Sequence, residues 1–124
     1  MARSSRISRK EFDELVDEAL SQVPAPFQKL LENIVVVVEE EPDDDDYDLT
    51  DTPDEEEILG IYRGAMLTER SFNDLPSLPA QVAIFRGPIL RCTSTRAEAI
   101  REIRETVVHE LGHYFGLEDD EMPF

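Results

Sequence analysis

Two histidines occur in the 124 residues, and they stand as His109 and His113 with Glu110 between them. The run from His109 to Asp119 reads H-E-L-G-H-Y-F-G-L-E-D, a spacing of H-E-x-x-H-x-x-G-x-x-D. That spacing asks for a helix, because the i, i+4 step of a helix aims two imidazoles at one point. It also asks that the helix be anchored by another face and stop soon after His113. Gly116 suits the left-handed residue that ends a helix, and Asp119 then arrives with an oxygen ligand. Glu118, Asp120 and Glu121 compete with Asp119 for that place.

The residues upstream supply the anchored helix. Thr95 with Glu98 fits a capping box that opens it. Ile100, Ile103, Val107 and Leu111 fall in a narrow arc at ~100° per residue, so they form the stripe that packs on a core. His109 and His113 lie about half a turn away, beside Glu102, Glu105 and Thr106. Two histidines one turn apart on a polar face read as ligands of Zn2+ rather than as structural residues. Glu110 is rotated to the edge of that face, placed as a general base rather than a ligand. Two imidazoles and one carboxylate leave a zinc position open for water, the arrangement of a hydrolytic site rather than a closed structural one. Glu105 either orients His109 or pairs with Arg101 or Arg104. For an oxyanion stabiliser, Tyr62, Tyr114 and the arginines are the candidates.

The rest of the chain reads as one α+β domain over residues 1–124, with helices on one face of a small mixed sheet. Residues 1–7 read as a loose arm. Ser8 and Glu11 fit a capping box, and Phe12, Leu15, Val16, Ala19 and Leu20 recur at helical spacing, predicting a helix at 9–21. Pro26 opens a short helix through Leu30, Leu31 and Glu32. Ile34 to Val38 is a β-branched run that reads as a buried strand. A second strand is expected at 58–64, a third at Gln81–Phe85, and a short fourth at Ile89–Cys92; residues 68–80 read as irregular.

Charge is concentrated. The chain has a net charge of -17, and residues 39–57 hold 13 of its 29 acidic residues and no basic one. This acidic segment reads as a solvated, mobile loop that folding does not need, since unpaired ionised side chains resist burial. It repels nucleic acid and anionic membrane, so neither is expected as a partner. It also lacks the glycine and spacing of a calcium loop. Cys92 stands alone, which rules out an internal disulfide and makes it a small buried hydrophobe by default. With no secretory leader or apolar span in the sequence, the expected location is cytoplasmic.

The run 109–119 resembles the Asp-zincin pattern, in which two histidines and an aspartate hold zinc and the glutamate is the catalytic base. The wider chain resembles a family of minimal zincin-like proteins found in bacteria. The cues are Leu59-Gly60-Ile61-Tyr62-Arg63-Gly64, Leu78-Pro79, and Thr106-Val107-Val108 leading into the motif. The resemblance covers most of residues 8–121 outside the acidic segment. It implies a minimal zincin-like fold: a small twisted sheet, a helix behind it, and the metal site on the C-terminal helix. That helix would lie below an edge strand able to pair with a substrate backbone. The leading expectation is a zinc metallopeptidase acting on short peptides or flexible segments. The alternative is a non-catalytic zinc-binding or protein-interaction module that retains the site. A zinc hydrolase of non-peptide amides would use the same residues.

Overall fold

A computed structural model of the protein describes residues 7–48, 57–63 and 80–114, without the side chains of Asp48, His113 and Tyr114. Helix α1 (Arg9–Ser21) begins as its sequence dictates. The Ser8 hydroxyl accepts from the Glu11 N–H at 3.1 Å, and Glu11 returns a bond to the Ser8 N–H at 3.4 Å. Ile7 precedes this cap and is buried in the same cluster as Phe12, a hydrophobic staple. Arg86 also donates to the Ile7 carbonyl. The described structure thus begins on a core residue, and the expected loose arm of 1–7 does not include Ile7. Phe12, Leu15, Val16 and Ala19 form the buried stripe of α1. Pro24 caps α2 (Ala25–Leu31), and Pro26 sits in its first turn, where a missing N–H leaves no bond unmade.

Three strands follow among the described residues: β1 (Ile34–Glu39), β2 (Gly60–Arg63) and β3 (Ala80–Phe85), in the spatial order β1-β3-β2. β1 runs parallel to β3 and β2 antiparallel to it, so the described sheet is mixed. The central position explains the sequence of β3. Val82, Ala83, Ile84 and Phe85 are all buried, because a strand with neighbours on both sides and cover on both faces needs a continuous apolar run. β1 differs from the buried strand its valines suggest. It has one neighbour in the described sheet, its residues are mostly half-buried, and Val35 is 44% exposed.

The main core lies on one face of the sheet. There α1 and the last helix, α5 (Arg96–Tyr114), pack together over Val82 and Ile84. A smaller cluster on the other face joins Ile58, Ile61, Ala83 and Phe85, with Val37 and Tyr47 against it. The expected fourth strand is instead a helix, α4 (Arg86–Arg91), which follows β3 directly and buries Pro88, Ile89 and Leu90. Pro88 fits the first turn of a helix, and its carbonyl accepts the Cys92 N–H at 3.2 Å, so the chain is already coiled where a strand is expected. α5 starts on Thr95, whose hydroxyl accepts from the Glu98 N–H at 3.1 Å. The Glu98 carboxylate turns to the Ser94 N–H at 2.7 Å, one residue earlier than a capping box requires. Ala99, Ile103, Val107, Val108 and Leu111 are fully buried along α5, while Ile100 is half-buried. The stripe is therefore rotated slightly from the expected one.

The acidic segment departs most from expectation. Glu39 ends β1, and Asp44–Asp48 form a short helix, α3. Asp46 is buried at 2% exposure and pairs with Arg63 of β2, with N–O distances of 2.8 and 2.9 Å. Arg63 also meets Glu39 at 2.8 Å and Gln81 at 3.1 Å. Arg91 joins Glu41 at 2.7 Å and Glu57 at 2.8 Å, tying together the two sides of the segment. Arg86 and Arg9 both reach Glu40, at 2.8 and 3.5 Å. Basic partners absent from the segment itself come from other elements for Glu39, Glu40, Glu41 and Asp46, so this part is ordered against the fold, while Asp43, Asp44 and Asp45 stay exposed as expected. Residues 49–56 lie outside the described residues.

Candidate functional site

The site begins with a glycine. A Cβ at Gly60 would lie 2.6 Å from Thr106 Cγ2 and 2.8 Å from the Ala83 carbonyl oxygen, so α5 reaches β2 only because this strand residue has no side chain. Glycine inside a strand pattern commonly marks such an approach, and this is the sequence signal for the contact. Thr106 and Glu110 are one helical turn apart on α5, about 6 Å. Gly60 and Tyr62 are two residues apart on β2, about 6.7 Å. The spacings match. With Thr106 seated on Gly60, the Glu110 carboxylate reaches Tyr62 and accepts its backbone N–H at 2.9 Å.

This N–H faces away from the sheet. Antiparallel pairs alternate between residues that exchange bonds and residues whose polar groups point outward. The Phe85 N–H donates to the Leu59 carbonyl at 2.9 Å, so Leu59 belongs to the bonded set and Tyr62, three residues on, to the outward set. The motif glutamate therefore meets the edge of β2 that faces away from β3 in the described sheet.

His109 is half-buried, one position before Glu110. α5 continues unbroken through His113, so the backbone places both histidines one turn apart on one helix. The His113 side chain, Gly116 and Asp119 lie outside the described residues. Among the described residues no group of three His, Cys, Asp or Glu side chains is gathered for a metal. Glu105 lies 3.9 Å from Arg104, the pairing expected of an ordinary helix residue. Tyr62, a candidate oxyanion donor, is half-buried against the main core; the Tyr114 side chain lies outside the described residues. Cys92 is exposed at the end of α4, not buried. Desolvation and then the nearby Glu102 carboxylate push its thiol pKa up, which makes it a poor metal-binding thiolate at neutral pH.

On the other face, Arg63 holds the end of β2. Hydrogen bonds to Arg63 pull Glu39 below the usual carboxylate range, and those to Arg91 do the same for Glu41. Arg63 itself is held above its ordinary value by Glu39 and then, against desolvation, by Asp46. Its guanidinium also sits 5.9 Å from the Phe85 ring centroid. Nothing in local sequence pattern marks Arg63 for this, since its partners come from β1 and α3.

No curated protein matches the sequence. Among solved structures, a conserved hypothetical protein from Thermo thermophilus is similar in fold, with a TM-score of 0.60 and 24% identity. The match covers 87% of this chain and 94% of that one. Among described residues, no helix is long and apolar enough to cross a membrane. The family model for zincin-like metallopeptidases matches residues 31–123, from the end of α2 past the motif. With an α+β fold and a motif helix laid against a strand edge, the chain belongs to the zincin-like metallopeptidase family.

Proposed function

We propose that the protein is a zinc-dependent peptidase that hydrolyses short peptides or flexible segments. The observation that carries this reading is the Glu110 carboxylate placed against the outward N–H of β2. A carboxylate able to act as general base thereby stands beside a strand edge, an arrangement that suits attack on a backbone held extended. The donor chemistry fits zinc: two imidazoles one turn apart on α5, with Asp119 as the third protein ligand. Zinc, when bound, would supply Lewis acidity to the scissile carbonyl and to the attacking water. Glu110 takes the proton of that water as it attacks and passes it to the leaving amine. The outer edge of β2 holds the substrate chain extended, through the backbone groups that alternate outward. A folded substrate could not present its backbone in that way, which favours short or flexible peptides.

Metal analysis joined to a peptide-library digest tests the reading. The parent should bind one zinc per chain and cleave peptides. His109→Ala and His113→Ala should each lose tight zinc binding, since the remaining protein ligands hold the ion poorly. Glu110→Gln should keep the fold and the zinc and lose turnover by about 10²-fold or more, because an amide cannot take the proton. A zinc-loaded parent that cleaves nothing across a broad library would refute the peptidase and leave the zinc-binding module or a hydrolase of non-peptide amides.

A further inference from the structure

The motif glutamate does not place itself. It lies on a 19-residue helix, α5, and its carboxylate accepts the Tyr62 N–H of the partner strand. What sets the helix at the right height and distance is the contact one turn earlier. There Thr106 Cγ2 occupies the space where a Cβ at position 60 would be, and the Ala83 carbonyl bounds that space on the sheet side. The Ile84 Cδ1 would be 3.2 Å from the same Cβ, so the space is tight on that side as well.

We propose that Gly60 is a positioning residue for Glu110. Its missing side chain seats Thr106 on β2, and that seat delivers the Glu110 carboxylate to the Tyr62 N–H. The two contacts act as a pair of fixed points along parallel lines of about 6 and 6.7 Å, so displacing the first moves the second. A side chain at position 60 pushes on Thr106, and through this stiff β-branched residue on α5, because the Ala83 carbonyl closes the sheet side. The catalytic consequence rests on the peptidase reading above; the positional one does not.

The experiment has two arms. In zinc-free protein labelled with 15N, the Tyr62 amide proton is followed in the parent, Glu110→Ala and Gly60→Ala. Loss of the carboxylate in Glu110→Ala should move this resonance upfield, and Gly60→Ala should reproduce the move although Glu110 is intact. In the zinc-loaded protein, Gly60→Ala should lower kcat by roughly 10²-fold, the effect of misplacing a catalytic group by about 1 Å, with KM and zinc affinity held. Thr106→Leu thickens the same contact from the helix side and serves if Gly60→Ala does not fold. Adding Thr106→Ser to Gly60→Ala removes the Cγ2 and should return the Tyr62 resonance towards the parent. A folded Gly60→Ala or Thr106→Leu protein with the parental Tyr62 resonance would overturn the proposal, whether or not the parent cleaves peptides. If the resonance moves while the parent proves inactive, the positioning stands and the peptidase reading falls.

Discussion

Single residues carry unequal weight in this protein, and burial decides which of its ion pairs matter. Asp46 and Arg63 have side chains 3% and 25% exposed, whereas Arg91, Glu41 and Glu57 are 49%, 52% and 44% exposed. Removing one partner from a buried pair leaves a charge without compensation. Arg63→Met should therefore destabilise the fold by about 3 kcal/mol. Arg91→Met should fall within about 1 kcal/mol, because water screens its partners. Urea unfolding at neutral pH measures both, and equal effects would mean that Asp46 is not held in the interior. Replacing residues 43–55 by a flexible linker deletes Asp46 as well, so that exchange should also weaken the fold. The sequence shows a block of like charges and hides this, since the compensating arginines lie on β2 and α4, far along the chain.

At the scale of elements, local sequence explains where helices start, and packing explains which face turns inward. Ser8, Glu11, Thr95 and the prolines of α2 all mark helix beginnings that the structure contains. The exact face of α5 is less legible. Ile100 and Ile103 both lie in the apolar arc, yet only Ile103 is fully buried. Ile103→Ala should cost about 3 kcal/mol, the loss of buried methylenes plus the cavity left behind. Ile100→Ala should cost about 1 kcal/mol, because it packs at the margin of the core and part of its surface already meets water. Thermal or urea unfolding of the two variants separates the stripe as packed from the stripe as read. The reason is the close approach at Gly60, which draws the Thr106 and Glu110 flank of α5 towards β2.

Across the whole molecule, two electrostatic effects oppose one another as pH falls. The net charge of -17 at pH 7 shrinks, which eases self-repulsion and favours the compact state. Glu39 and Glu41 act the other way. Both are lowered from 4.5 in the folded protein by Arg63 and Arg91, so they bind protons more readily when unfolded. Their stabilisation is present above about pH 4.5 and is lost as pH falls through their folded values below it. Measuring the parent alone would mix the two effects. Comparison with the double variant Glu39→Gln, Glu41→Gln isolates the second: the parent's advantage should shrink steadily from about pH 5 to pH 3. A gap that stays constant over that range would show that neither carboxylate is perturbed in solution.

The α+β class, the helix starts and the motif helix were determined by residues close in sequence. Caps, prolines, β-branched runs and i, i+4 spacing act over a few residues, and so they are readable without a fold. The proposed zinc ligands His109, His113 and Asp119 rest on that local spacing alone. Tertiary structure decided everything that depends on a distant partner. It made Ile89 and Leu90 part of a helix, left Val35 exposed on β1, and gave Glu39, Glu40, Glu41 and Asp46 their arginines. It also brought Glu110 to Tyr62, residues 48 positions apart in the chain. Local pattern encodes which atoms a residue offers; only packing determines the surface that receives them, and here a missing Cβ at Gly60 sets that surface.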